Sequence, residues 1–331
     1  MSAEAARLAA RIVRLPSDRL FVIVSRLVAL ALLITALSIL SPYFLTWGNF
    51  INVMRQASLQ FIVAAGLTIV VLTGGIDLAV GAILGLAACL SASLISQGYL
   101  GSGIASALLC GLACGMANGV LVSYGRIPAF IATYGMLWIA HGLGYVFMKG
   151  EVIHGLPDGF RFIGAGFVWG IPVPVLIAAA LLVILHGLLH ATVLGRAIYA
   201  IGGNSTAARL SGMPVERRVL AVYALSGLLS GLAALVVIAR INAADSSLGE
   251  DLLLPAIAAV CLGGTSLFGG VGGIAGTAIG SVILALTVNG LNLLGVQTFW
   301  QNAVIGAIIL ASVLADQLGG ARLIRQQQTV P

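Results

Sequence analysis

The sequence predicts an all-α fold: a polytopic membrane helix bundle of about ten transmembrane helices, with an internal duplication suggested by short matching motifs. Three observations carry this. Apolar segments long enough to cross a bilayer recur along nearly the whole chain. Only 8% of the 331 residues are charged and 60% are hydrophobic, where a water-soluble domain carries about 25% charged residues to cover its surface. The apolar runs are continuous and rich in Leu, Ala, Val, Ile and Gly, without the ten-residue alternation of a membrane barrel. Helices satisfy their own backbone hydrogen bonds in lipid, and so win.

Taken in order, the predicted spans are 21–41, 57–73, 78–97, 103–124, 128–148, 172–191, 219–239, 255–268, 271–293 and 301–318. The first follows a basic segment holding Arg7, Arg11, Arg14 and Arg19. It is too long for a signal-peptide core and has no small-residue cleavage site before Ser41-Pro42, so it reads as a permanent span. The eighth is short and edged by glycines, which leaves open a broken or re-entrant segment in place of a clean crossing. The chain then divides into a basic N-terminal segment, 1–20, a membrane domain, 21–318, that includes a long polar link at 192–218, and a tail, 319–331.

Orientation follows the arginines. The N-terminal segment, the 192–218 link (Arg196, Arg209, Arg217 and Arg218 against Glu216) and the tail (Arg322, Arg325) fall on one side, predicted cytoplasmic. The links at 149–171 and 240–254 mix acids with bases and fall on the other. The alternation agrees with ten crossings.

Small residues recur at four-residue spacing in Gly111-Leu-Ala-Cys-Gly115, Gly227-Leu-Leu-Ser-Gly231 and Gly276-Thr-Ala-Ile-Gly280. That spacing lets helices approach closely. Cys89, Cys110, Cys114 and Cys261 all lie in apolar stretches without accompanying histidines or carboxylates, so they read as packing residues and no metal site is expected. Gly74-Gly-Ile-Asp-Leu78 resembles Gly263-Gly-Thr-Ser-Leu267, and Asn118-Gly119 resembles Asn289-Gly290, the basis for the suspected duplication.

Two segments carry more information. In the 192–218 link, Asn204 or Ser205 can cap a helix of about two turns, Gly212 suits its exit and Pro214 stops it. Such a helix is either a rigid lever or a simple connector. Asp77 is the single acid between Asp18 and Glu151. At membrane depth a carboxylate is a functional hypothesis, yet its glycine neighbours equally suit a cap for the third span. Among the polar and aromatic residues of the spans, Asn118, Phe130, Tyr134, Asn289, Asn292 and Trp300, together with Asp77, are the candidates to line a pathway. The competing reading is that the amides bond between helices and Trp300 anchors at the interface. No nucleotide-binding G-x-x-x-x-G-K-[ST] loop, nucleophile elbow, zinc motif or paired-carboxylate site occurs.

As an ordered set, Asn49-Phe-Ile-Asn-Val53, Gly74-Gly-Ile-Asp-Leu-Ala-Val-Gly81, Ile127-Pro-Ala-Phe-Ile-Ala-Thr133, Ala200-Ile-Gly-Gly-Asn204, Ala207-Ala-Arg-Leu-Ser-Gly212, Leu262-Gly-Gly-Thr-Ser-Leu-Phe-Gly-Gly270 and Asn289-Gly-Leu-Asn-Leu-Leu-Gly295 resemble the permease subunits of bacterial ribose-type carbohydrate ABC importers. The resemblance spans residues 20–318. It implies a non-catalytic membrane subunit in the bacterial inner membrane that pairs with a second permease copy or paralogue. It further implies cytoplasmic ATP-binding subunits carrying ATP and Mg²⁺, and a periplasmic sugar-binding protein. Membrane lipid is the remaining partner; no nucleic acid and no cofactor on this chain are expected. It also implies that Asn204, Ser205, Thr206, Ala207, Ala208, Arg209 and Gly212 couple to the ATPase. Thr206 departs from the acid that often stands there, and Leu253-Leu254-Pro255 replaces a Glu-Leu-Asp run, with Glu250 and Asp251 lying upstream where they could meet the binding protein. The sugar is therefore left open. The rival readings are an ion-coupled secondary transporter using Asp77 and an intramembrane enzyme, for which no catalytic dyad is present.

Overall fold

The computed structural model describes the backbone of residues 16–328. Arg7, Arg11 and Arg14 of the N-terminal segment, and residues 329–331 of the tail, lie outside the described residues. So do the side chains of Arg19, Arg322 and Arg325.

The chain is a helix bundle. In order its helices are α1 (Pro16–Leu40), α2 (Trp47–Leu72), α3 (Val80–Ser96), α4 (Leu100–Ser123), α5 (Ala129–Met148), α6 (Asp158–Ala165), α7 (Val173–Ala191), α8 (Val193–Gly203), α9 (Ser205–Leu210), α10 (Val215–Ile241), α11 (Leu253–Leu262), α12 (Ile274–Leu293) and α13 (Thr298–Gln328). A helix lies on every predicted span. Six of them, α2, α4, α5, α7, α10 and α12, are long and apolar enough to cross a membrane. The apolar stretches of α1 (Val28–Leu40), α3 and α13 (Thr298–Leu314) are shorter, and α11 has only 10 residues. Helix length alone therefore does not fix the count at ten.

α10 is the central post. Its middle is buried on all sides, from Val222 to Ala239 with few interruptions. It touches α4 backbone to backbone: a methyl group on Gly227 would collide with the Gly111 carbonyl, and one on Gly115 with the Tyr223 carbonyl. Gly276 and Gly280 of α12 approach Gly263 and Ala259 at α11 in the same way. Without a hydrophobic drive between helices in lipid, such close van der Waals contact is what holds them together. The three small-residue motifs are thus seams of the bundle. Cys89 donates to the Asp245 carbonyl at 3.3 Å.

At the C-terminal end of α10 the two mixed links meet. Strand β1 (Ile153–His154) pairs antiparallel with β4 (Ala243–Ala244), Ile153 facing Ala244, and the Asn242 side chain accepts the Leu156 N–H at 2.8 Å. A second small hairpin, β2 (Phe167–Val168) with β3 (Ile171–Pro172), precedes α7. Links 149–171 and 240–254 therefore share one end of the bundle. The 192–218 link sits at the other end, since α10, 27 residues or about 40 Å long, separates them.

Two segments traverse the bundle in broken form. After α2 the chain runs without helix through residues 73–79 before α3 begins. After β4 it descends along α3 in the opposite direction, with Asp245 at Cys89, Leu248 at Gly85 and Gly249 at Gly81. A short 3₁₀ turn, Glu250–Leu252, then leads into α11. The predicted eighth segment, 255–268, is helical only to Leu262 and continues as turns through residues 263–273, and the irregular turn stretch 245–252 lies before it.

Candidate functional site

The protruding helix α9 is built by its own sequence. The Asn204 side chain accepts the Ala207 N–H at 2.9 Å, satisfying one of the unpaired donors at the helix start. Gly212 takes a left-handed conformation (φ +80°), and the N–H of Met213 returns to the Ala208 carbonyl at 3.2 Å. Ala208 packs into a small cluster with Ile201 and Val215, which fixes α9 against its neighbours. Ser205, Thr206, Ala207, Arg209 and Gly212 face outward, and Arg209 pairs with Glu216 at 2.6 Å. Leu210, an apolar side chain, is 85% exposed at the tip.

One helix in this link went unread in the sequence. α8 is capped by Thr192, which accepts the Gly195 N–H at 3.1 Å, and buries Ala197, Ile198 and Ile201. That helical spacing was the available signal. α6 was missed in the same way: Phe160 and Gly164 form its buried face. The last turn of α8 holds Gly202, whose Cα lies so close to the end of α2 that a methyl group there would strike the Leu72 carbonyl. Leu72 also accepts the Gly270 N–H at 3.0 Å. The link, the end of α2 and the 263–273 turn thus meet through bare backbone.

From that junction the chain leads to Asp77. Its carboxylate is fully buried, accepting the Ala79 N–H at 3.0 Å and the Ser226 hydroxyl at 3.0 Å. Tyr223 and Thr133 donate to the neighbouring Ile76 carbonyl at 3.2 and 3.3 Å. The non-helical stretch before α3 is therefore fastened to α10 and α5.

The other predicted pathway residues separate into groups. Phe130 and Tyr134 lie on an exposed stripe of α5 that continues through Trp138, His141 and Tyr145, each ring within 5.9–6.3 Å of the next. The stripe runs from the Ile76–Leu78 stretch toward the end where β1 and β4 pair. A wholly apolar cavity of about 170 Å³ adjoins Phe130, Ile76 and Leu78. A second, of about 270 Å³, adjoins Leu78, Trp138, His141 and Glu250. Asn289 exchanges two amide hydrogen bonds with Asn49, at 2.7 and 3.1 Å, and Asn292 accepts from Gln301 at 2.8 Å. Both amides thus tie helices together. Trp300 is exposed at the start of α13. Asn118 is fully buried on α4, and neither of its side-chain polar atoms has a hydrogen-bond partner. His141 and Glu250, neither among the predicted pathway residues, meet at 3.2 Å between Nδ1 and Oε1 across two elements distant in sequence.

A bundle of this kind, with a capped protruding helix at one end and two interrupted traversing segments, is that of a polytopic membrane transport protein. Over residues 49–313 the chain matches the family described as branched-chain amino acid transport system / permease component. It is 46% identical over 294 residues to the ribose import permease protein RbsC of Bacillus subtilis, covering 87% of this chain and 90% of that protein. It is 43% identical over 295 residues to RbsC of Escherichia coli K12, covering 88% and 92%. It is 39% identical over 293 residues to the D-allose transport system permease protein AlsC of Escherichia coli K12, covering 87% and 90%. No solved structure matches the chain. The chain belongs to this family of transport-system permease components, with the ribose-type ABC importer permeases among its relatives.

Proposed function

We propose that this chain is the membrane permease of an ATP-driven importer that moves a sugar or sugar-like solute handed over by a periplasmic binding protein. Relatives named for ribose import and D-allose transport, each matched over nearly its whole length, support the sugar reading over the amino-acid wording of the family description. With no nucleotide-binding loop in the sequence, ATP and Mg²⁺ are held by partner ATPase subunits and this chain is not itself an enzyme. Both termini and the 192–218 link face the cytoplasm, as the arginine distribution favours.

The observation that carries the reading is α9. A six-residue helix capped by Asn204, seated through Ala208 and presenting an exposed Leu210 is a stiff knob suited to a socket on another chain. Force on it passes through α8 to Gly202 and from there to the end of α2 and the Asp77 stretch. Residues Asn204–Gly212 are then the coupling element. The aromatic stripe of α5 is one wall of the solute's path, and a second permease copy supplies the facing wall.

The test is uptake of radiolabelled D-ribose and D-allose into proteoliposomes holding this chain, its ATPase and the cognate binding protein. Uptake should require ATP, and the purified chain alone should hydrolyse none. Gly212→Arg has room for its side chain but strains the left-handed backbone. It should abolish uptake while the partner ATPase still hydrolyses ATP. Unchanged ATP-dependent uptake by Gly212→Arg would remove the coupling assignment.

A further inference from the structure

We propose that the cavity bounded by Trp138, His141 and Glu250 is a binding site for a neutral, polyhydroxylated solute within the membrane domain; this rests on the importer reading above and names where its cargo pauses.

The site is made by the two breaks in the traversing segments. α3 starts at Val80 and α11 at Leu253, and Gly81, Ala82, Gly249, Glu250 and Leu253 all line the same cavity of about 270 Å³. That volume is near the lower end of small-molecule pockets, about 300 Å³. What brings the breaks together is one pair of glycines. A methyl group on Gly81 would strike the Gly249 carbonyl, and one on Gly249, which is left-handed (φ +96°), would strike the Gly81 carbonyl. Seated in this way, the turn presents Glu250 to His141 of α5 at 3.2 Å.

The chemistry of the lining selects the ligand. The starts of α3 and α11 both adjoin the cavity, α3 with Asp77 accepting the Ala79 N–H just ahead of it and α11 as the continuation of the 3₁₀ turn that carries Glu250. Glu250 retains lone pairs beyond its bond to His141 and accepts from hydroxyl protons, as a carboxylate does. Glu250 is the one carboxylate among the lining residues, which disfavours an anionic solute, and no Lys or Arg stands there to favour one. Trp138 supplies a flat apolar face for the C–H side of a ring and continues the α5 stripe that leads to the apolar cavity at Phe130. Interrupted membrane helices that aim their starts at one point are a recurrent way of holding a transported solute near the middle of the bilayer.

The plain alternative is that the His141–Glu250 pair only braces α5 to the turn before α11. The two roles separate in the complete importer, reconstituted with its ATPase and binding protein and assayed with whichever of D-ribose and D-allose it takes up. At saturating loaded binding protein, Glu250→Gln and Trp138→Ala should each lower sugar flux about tenfold, the effect of one lost strong contact. The ATP hydrolysis stimulated by loaded binding protein should stay within about twofold, because α9 is untouched and, on this reading, Glu250 meets the solute and not the binding protein. Trp138→Phe, which keeps an aromatic face, should recover most of the flux. A fall in flux and in stimulated hydrolysis together, or flux at the parent level in both Glu250→Gln and Trp138→Ala, would overturn the site and leave the importer reading standing. Absence of uptake of either sugar by the parent complex would overturn the importer reading and the site with it.

Discussion

The Asp77 carboxylate accepts the Ser226 hydroxyl at 3.0 Å in the interior of the bundle, joining the non-helical stretch before α3 to the middle of α10. Its other oxygen takes the Ala79 N–H. Asp77 thus organises the start of α3, from just outside the helix, and belongs to the framework as much as to any pathway.

That arrangement predicts different outcomes for two substitutions. Asp77→Ala leaves the Ser226 hydroxyl and the Ala79 N–H buried without their acceptor, at about 1–3 kcal/mol for an orphaned group. The detergent-solubilised protein should melt several degrees lower. Asp77→Asn keeps an acceptor for Ala79, and Ser226 can rotate to meet the amide. ATP-driven uptake should then persist within about threefold of the parent, less than one hydrogen bond's worth. Ion-gradient-driven uptake by this chain alone, abolished by Asp77→Asn, would instead establish the secondary-transporter alternative.

The seam between α4 and α10 leaves no space for a side chain. Gly227→Val places two methyls against the Gly111 backbone, so the helices must part. Overpacking of this kind costs about 1–3 kcal/mol or more. The variant should be recovered from membranes at reduced level and show faster proteolysis. Gly187→Val, on α7 with open space at its Cα, is the matched control and should behave as the parent.

At the Gly202 junction the steric argument is about transmission. Gly202→Ala forces α8 away from Leu72 and Gly270 while leaving α9 and its cap intact. Uptake should fall more than ATPase binding, and pull-down of the ATPase subunit is the measurement that distinguishes them.

Removing the cap tests the knob itself. Asn204→Ala takes away the acceptor of the Ala207 N–H and should loosen α9 by about 1 kcal/mol. The expected result is a weaker ATPase interaction, roughly fivefold, partly restored in Asn204→Ser or Asn204→Asp.

Much of this was legible in the sequence because it depends on local rules. Apolar length placed the helices, and glycine spacing marked the seams, where Gly111, Gly115, Gly227 and Gly231 do meet. Asn204, Gly212 and Pro214 announced the capped turn because capping is a short-range hydrogen-bond problem. α6 and α8 were hidden because short amphipathic helices are faint beside long apolar ones, although Ala197, Ile198 and Ile201 carried the spacing. The suspected repeat looks different in space: left-handed Gly74 and Gly264 occupy like positions after α2 and α11, a shift of one residue from the motif match, and no helix corresponding to α3 stands between α11 and α12. His141 and Glu250 could not be paired from sequence at all. Only the Gly81–Gly249 contact brings them within reach, and nothing local to either residue encodes it.

Residues 73–79 and 245–249 contain no helical ladder, yet they pack against rigid helices, the first fastened to α10 and α5 and the second laid along α3. A continuous helix resists bending because every turn is bonded to the next, whereas a stretch fastened at a few points yields wherever one fastening lets go. Their amide protons should accordingly trade with deuterium sooner than those of α10, and sooner again while the importer cycles. The protein then keeps its moving joints pinned to rigid staves that need not deform for a solute to pass.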